Sequence, residues 1–425
     1  MSTNANRLVN LRNLQRANWD VAFAMAFTSL VTGSFLIGYI KHLNGSDVWI
    51  GILTGLPSFM GIAQVPGAIW GRSKPFYKKF IFPGGLLWRL MYVPFIFLPL
   101  LNLTSDTKLT ILAFCIGIAG VAQQIVSPIF NDWLAELVPA SSRGWYFSRR
   151  HLISTACGLT VGLIGGGVLD WLTKSGQAPT GFVIVFGLGL VCASLSQFFF
   201  STMKDSVRED PVPVNFKESL RQMVAPVKDN NFRRLLLFAG IFMASQTFAG
   251  GFFTAYALEA LNLSYTGLQV IAVGFALGSI AFVRLWGYLA DRYGNKPVLV
   301  MMTAGVVITP TMWLVCQPDR PVFNLLVLFF GHIFTGAMWA GVTVTQLNLY
   351  MATAKPEDRP NYLAMAVTVT AVFGGVAPLV GSAVMTALRE TNSVIWAYKW
   401  LFIIVIAFRV ISLALLVNVR EEGAT

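Results

Sequence analysis

Gly287-Tyr288-Leu289-Ala290-Asp291-Arg292-Tyr293-Gly294-Asn295-Lys296 joins two apolar runs, at 265 to 289 and 297 to 316. At 1.5 Å of helical rise per residue, each run is long enough to cross a hydrocarbon layer of about 30 Å. A charged turn this short between two such runs reads as the loop between consecutive membrane-crossing helices. Within it, Gly287 permits close helix contact, and Asp291 suits the positive N-terminal end of a neighbouring helix.

The same alternation runs along the rest of the chain. Apolar spans fall near 19 to 41, 48 to 70, 80 to 102, 108 to 130, 149 to 171 and 181 to 202, then near 233 to 258, 265 to 289, 297 to 316, 322 to 350, 361 to 388 and 395 to 418. Of the 425 residues, 55% are hydrophobic and only 12% charged, against about 25% charged in soluble proteins. The fold class is therefore an all-α membrane protein of twelve transmembrane helices. Glycine and proline inside the runs fit helices, and the runs are too long for barrel strands of about ten alternating residues.

Most of the 31 Lys and Arg lie on the side shared by both termini. Lys41, Lys108, Lys174, Arg320, Arg389 and Lys399 lie toward the other side, and Arg89, Arg284 and Arg409 inside spans. The positive-inside rule then puts both termini in the cytoplasm of a cell with a plasma (inner) membrane. The net charge of +12 follows from topology and calls for no nucleic acid. Cys115, Cys157, Cys192 and Cys316 all lie in apolar runs without metal-ligand spacing and read as packing residues. The polar start, with Arg7, Arg12 and Arg16, is not a cleavable signal, so the first span is expected to stay.

The two halves repeat at a shift of about 215 to 220 residues, the kind of duplication to be sought early. Leu43-Asn44-Gly45-Ser46 answers Leu261-Asn262-Leu263-Ser264. Asn131, Trp133, Pro139 and Arg143 answer Asn348, Tyr350, Pro356 and Arg359, and Gly67 with Gly71-Arg72 answers Gly287 with Asp291-Arg292. The expected organisation is a cytoplasmic segment 1–18, a six-helix bundle 19–202, a cytoplasmic linker 203–232, a second pseudo-symmetric six-helix bundle 233–418 and a cytoplasmic tail 419–425. Two such parallel halves make a transporter architecture with a substrate site between them near mid-membrane.

The decapeptide from Gly287 to Lys296 resembles the signature G-x-L-x-D-R-x-G-x-K between spans 8 and 9 of the major facilitator superfamily, and the resemblance covers about residues 19 to 418. It implies alternating access and places Asp291 near Tyr146 to Arg150. The first-half loop, Gly67-Ala68-Ile69-Trp70-Gly71-Arg72, departs from the pattern with Gly71 where the acid belongs. Gly158, Gly162, Gly166 and Gly167 in span 5 are similar to the antiporter motif G-x-x-x-G-P-x-x-G-G, with Leu163 for proline, and Gly381 in Ala377-Pro378-x-x-Gly381-Ser382 is the span 11 equivalent. Such glycines make a flat stripe on which helices of opposite halves approach and slide. Span 4 lacks the arginine of many proton-coupled relatives, whereas span 10 has His332 near the equivalent place, able to titrate.

The family lines its cavity with spans 1, 4, 7 and 10, which implies Thr28, Thr32, Tyr39, Gln123, Gln124, Gln246, His332, Thr335 and Trp339 as substrate contacts, with Phe252 adding apolar surface. The bland alternative for each polar one is an inter-helix hydrogen bond of about 0.6 kcal/mol. Charges inside spans are functional hypotheses by default. Arg89 is weighed as a substrate or headgroup ligand, Arg284 as part of a charge network with Asp291 two turns on, and Arg409 as a packing residue. Asp20 is read chiefly as a cap at the start of span 1 and otherwise as a proton-coupling acid. Asp132, Glu136, Arg143 and Arg292 are expected at gates or latches.

The chain shows no phosphate-binding G-x-x-x-x-G-K-[ST] loop, no H-E-x-x-H and no G-x-S-x-G, so the reading is not an enzyme and needs no cofactor or metal. The expected function is secondary active transport of a small organic solute, neutral or weakly anionic, by a monomer in contact with membrane lipids. Proton-coupled efflux is favoured by the span 5 glycines. Uptake, uniport, a lipid flippase and a non-transporting sensor are the alternatives.

Overall fold

The computed structural model describes residues 2–207 and 215–421, with side chains from residue 9 onward. The side chain of Arg7, the linker's Arg208 and the tail beyond Glu421 lie outside that range. Among the described residues, 12 helices are long and apolar enough to cross a membrane: Val9–His42, Asp47–Arg72, Lys78–Leu100, Ser105–Leu137, Ala140–Lys174, Ala178–Thr202, Asn230–Glu259, Tyr265–Tyr293, Asn295–Val315, Pro321–Thr353, Arg359–Thr391 and Val394–Val417. They are numbered here as spans 1 to 12.

Span 1 differs from the sequence reading in a way that matters for the site. Its helix begins at Ser2, not near Trp19, so Asp20 stands in the helix interior and caps nothing. The polar residues before Trp19 are bound rather than frayed. Asn13 donates to the Lys204 carbonyl and accepts from the Lys204 N–H, both at 2.9 Å, and Arg16 donates to the Thr202 carbonyl. A hydropathy reading registers these residues as the end of a span, whereas the helix continues through them.

Local conformation bears out the duplication. The only non-glycine residues with positive φ among those described are Asn44 (57°) and Asn262 (52°), the paired asparagines of the repeated turn. Asparagine tolerates this left-handed conformation better than most residues. Tyr39 and Tyr256, equally matched by the repeat, both bury their rings and donate to a carbonyl, Tyr39 to Phe95 of span 3 and Tyr256 to Cys316 just past the end of span 9. Span 1 breaks at Gly33, whose φ is 57°, and span 7 breaks at Phe248–Ala249.

The chain forms two compact units. One comprises residues up to Gly45 with Met60–Phe216, and the other Ser46–Phe59 with Lys217 onward. The expected boundary gave all of span 2 to the first bundle, but its first half, Asp47–Phe59, packs in the second unit on span 11. Small residues cause this: a Cβ on Gly51 would lie 2.5 Å from the Ser382 hydroxyl, and one on Gly55 2.7 Å from the Gly375 carbonyl. At the end of the same seam Arg389 of span 11 ties spans 2, 7 and 12 to its own. Its Nε lies 2.6 Å from Asp47, its Nη atoms each 2.9 Å from a Glu259 oxygen, and Tyr398 donates to Glu259 at 2.7 Å.

Several expected helix contacts fall elsewhere. A Cβ on Gly287 would meet nothing within 4 Å, whereas one on the matched Gly67 would lie 2.5 Å from the Ile125 carbonyl, so the close approach is made by the last helical turns of span 2 on span 4. The antiporter-like glycines find partners inside their own units. The Gly158 carbonyl accepts from Ser29 of span 1, and a Cβ on Gly381 would strike the Phe248 carbonyl of span 7. Gly162 and Gly166 are buried, while Gly167 has open space around it.

The acid seated on the N-terminal end of span 9 is Glu421. The Glu421 carboxylate accepts the Asn295 and Lys296 N–H groups at 2.9 and 2.8 Å and the Asn295 amide at 2.9 Å. Burial alone would raise the Glu421 carboxyl, but these donors and the Lys296 charge outweigh it and hold it below its ordinary value of 4.5. A lowered pKa in the folded state adds stability that is complete above the ordinary value and lost as pH falls through the lower one. Glu421→Gln should therefore lower the melting temperature at neutral pH, and the difference from the parent should vanish on acidification below pH 4.5. Thermal unfolding across pH measures this, and a difference that persists in acid would refute the role given to the carboxylate.

Candidate functional site

In the first unit, spans 1, 3, 4, 5 and 6 enclose a cavity of about 360 Å³ whose wall carries Asp20, Trp88, Arg89, Gln123, Asn131, Arg150 and Gln197. Asp20 and Arg89 are 5% and 9% exposed. A lone charge so buried is expensive, and the cost falls only with a partner and hydrogen bonds. Arg89 Nη2 lies 3.4 Å from Asp20 Oδ1. Ser196 of span 6 donates to the same oxygen at 2.6 Å and accepts from Arg89. Both hydrogen bonds to Asp20 thus end on Oδ1.

Span 3 shapes itself to hold the guanidinium. Arg89 Nη1 donates 2.8 Å back to the Gly85 carbonyl, and a Cβ at Gly85 would sit 3.2 Å from that nitrogen. Arg89 also stacks over Trp88 at 4.8 Å, and Arg150 of span 5 over Phe130 at 5.4 Å. The Nε atoms of both arginines are buried without a hydrogen-bond partner. The wall therefore holds two guanidiniums against one carboxylate, with amides nearby. Chemically it can take an anion at the arginines and a proton at Asp20.

The second unit has its own cavity, of about 320 Å³, between spans 7, 10 and 11. It is lined by Phe242, Gln246, Trp339, Gln346, Tyr350 and Thr370 among others, with no charged side chain on its wall. Phe242 and Trp339 are 5.3 Å apart, and Gln346 donates to Tyr350 at 2.7 Å.

Of the sequence-derived substrate contacts, Thr28 and Gln123 line the first cavity, and Gln246 and Trp339 the second. The others stand away from both walls. Tyr39 packs among Phe95, Phe182 and Phe186, and Phe252 and Thr335 are buried. Thr32 donates to the Thr28 carbonyl at the break of span 1. Gln124 accepts from Gln64 at 2.6 Å. His332 holds the Leu328 carbonyl at 2.7 Å and meets the Trp313 ring edge-on.

The gate candidates lie at span ends. Glu136 accepts from Tyr77, and Arg143 donates to the Val138 carbonyl at 3.3 Å. Asp132, Arg284 and Asp291 are exposed on their helices, and Arg292 donates to Tyr288 at 3.1 Å. Arg409 is a packing residue: it is 3% exposed and donates to the Val306 carbonyl, freed where the helix of span 9 breaks. Sequence reasoning missed Ser196 and the cavity role of Arg150. Arg150 stands at the edge of the apolar run 149 to 171, where hydropathy does not mark a cavity residue, and a single serine in an apolar run carries no signal until its face is known.

Residues 235–424 match the model of the Major Facilitator Superfamily. A Salmonella typhi protein named citrate-proton symporter is 25% identical over 276 residues, which are 62% of this chain and 61% of that protein. The chain thus aligns with about three fifths of that relative's length. A Bacillus subtilis protein named YfkF, an uncharacterized MFS-type transporter, is 26% identical over 327 residues, 75% of this chain and 72% of its own. Among solved structures, a mutant of the nucleoside transporter NupG superposes with a TM-score of 0.76 at 11% identity, covering 96% of this chain and 99% of that one. A bacterial homologue of the iron transporter ferroportin, in an inward-facing state, gives 0.72 at 12%, covering 96% and 98%. At these identities the structural likeness shows the fold.

The geometry sets a test of its own. Removing one member of a buried ion pair strands the other and costs about 3–5 kcal/mol, while replacing both by apolar groups is often nearly neutral. Arg89→Leu should therefore destabilise the protein far more than the Asp20→Leu, Arg89→Leu double substitution does. Denaturation of purified protein measures both, and additive losses would show the two charges to be uncoupled.

Proposed function

We propose that the chain is a twelve-span transporter of the Major Facilitator Superfamily and that it moves a small organic anion together with protons, the two binding at the cavity of the first unit. The observation that carries the reading is the buried carboxylate and guanidinium, Asp20 and Arg89, on the wall of one cavity. While Asp20 is charged it neutralises Arg89. A proton on its Oδ2, the oxygen without a hydrogen bond, frees the guanidinium to pair with a substrate carboxylate in the planar two-point geometry that arginine favours. Proton and anion then raise each other's affinity by the same factor, typically about 5–150-fold.

This coupling sign favours symport, driven inward by a proton gradient, over the efflux expected from the span 5 glycines. Gly158 of that set packs on span 1 within its own unit, and a relative named citrate-proton symporter carries the same kind of coupling in its name. His332, off both cavity walls, takes no part in the proton path proposed here. The second unit's cavity has no charge on its wall, which leaves charge recognition to the first. The charge asymmetry of the loops supports a plasma-membrane location with cytoplasmic termini. Alternating access supplies the movement.

Reconstituted vesicles with an inward proton gradient test the proposal, with labelled citrate, succinate and benzoate as probes. The parent should accumulate at least one of them. Asp20→Asn should lose gradient-driven accumulation by about tenfold or more, in keeping with a coupling of that size, while retaining exchange of the same anion at equal pH. Arg89→Lys should lose both, because an ammonium cannot make the two-point contact. Full accumulation by Asp20→Asn would overturn the coupling role, and binding without flux would favour a sensor.

A further inference from the structure

We infer that Ser196 is the positioning residue that sets how tightly Asp20 holds its proton, an inference that rests on the proton-coupled reading above. The direct contact between Arg89 and Asp20 is 3.4 Å, longer than the roughly 2.7–2.9 Å of a charge-assisted hydrogen bond. The shorter path runs through the Ser196 hydroxyl. It donates to Asp20 Oδ1 at 2.6 Å and accepts from the same Arg89 nitrogen. Ser196 is 0% exposed, so no solvent competes for these bonds.

A hydroxyl has one proton to give. With Asp20 charged, the Ser196 dipole points its hydrogen at the carboxylate and its oxygen at the guanidinium, and both bonds are then at their strongest. A proton arriving at Oδ2 neutralises the carboxyl, weakens what the hydroxyl gains from it and leaves Arg89 less compensated. Ser196 therefore favours the charged form of Asp20, as any donor to a carboxylate does. Removing it makes the carboxyl hold its proton to higher pH.

The other charged or titratable groups around Asp20 do not make this bridge. Arg150 of span 5 lines the cavity and stacks on Phe130. Tyr146, also of span 5, donates to the Leu14 carbonyl at 3.2 Å. Arg16, one turn earlier on span 1, is bound to Thr202. Span 4 faces the cavity with Gln123, Ser127 and Asn131, which do not titrate. Among the described residues, Ser196 is the one neutral side chain bonded to both members of the pair.

The test follows the protonated-carboxyl stretch in infrared difference spectra of the purified full-length protein, titrated across pH and needing no substrate. The band that Asp20→Asn removes is the Asp20 carboxyl. In Ser196→Ala its midpoint should rise by about one to two pH units, the scale of one hydrogen bond to a charged group. Ser196→Thr should restore the parent midpoint, and Ser196→Cys, a weaker donor, should move it in the same direction by less. If Ser196→Ala fails to fold, the Cys variant decides. An unchanged midpoint in the folded Ala or Cys variant overturns the role of Ser196 and leaves the coupling reading standing. If Asp20→Asn removes no band, the coupling reading and the role of Ser196 fall together.

Discussion

A charge inside an apolar helical body is tolerated only when something nearby answers it, and this constraint organises the structure. The chain meets it in two ways, at arginines on opposite sides of the repeat. Arg409 is answered by the Val306 carbonyl, freed where span 9 breaks, and it lines neither of the two cavities described above. Arg89 stands just before the break of span 3 and is answered by an acid and a hydroxyl, on a cavity wall. The first arrangement closes a gap in the backbone. The second leaves a charge whose compensation can change.

Duplication supplied the scaffold and divergence supplied the site. The matched Asn44 and Asn262 turn in the same left-handed conformation, and the matched Tyr39 and Tyr256 both donate to a backbone carbonyl. The cavities do not match in this way. The first carries Asp20, Arg89 and Arg150, whereas the second carries Trp339, Phe242 and paired polar groups with no charge. Positions that fix the helix ends stayed alike while the walls between them took different chemistry, as expected where the same frame must hold both a charged and an uncharged surface.

The spans, their number and the repeat were legible in the sequence because each rests on a long run or an ordered set of matches. The faces were not. In a soluble helix a polar stripe marks the outside, but a helix between lipid and protein is apolar on both sides, so Tyr39 and Thr335 could be placed on the right spans without their facing being known. Both prove to be packing residues. Asp20 was misread for a different reason: the helix continues beneath it because Asn13 and Arg16 bind the end of span 6, a tertiary contact that local hydropathy cannot register. Asp47, Glu259 and Arg389 form the clamp on the first half of span 2, a pairing of residues far apart in the chain that local hydropathy cannot register.

The count of buried charges bears on how a proposed proton–anion couple avoids leaking. With Asp20 charged and the cavity empty, Arg89 is compensated and only Arg150 is in excess. Protonating Asp20 without a substrate leaves two uncompensated guanidiniums in one confined space. Admitting a singly charged anion together with the proton restores the count of the empty state, one carboxylate against two guanidiniums. The state that holds the proton alone therefore carries a repulsion that the empty, deprotonated state and the loaded, protonated state relieve, and in a confined site of low polarisability such repulsions exceed their values in water. The charge count thus opposes entry of a proton without its anion, and it does so by placing one acid, not two, beside a pair of arginines.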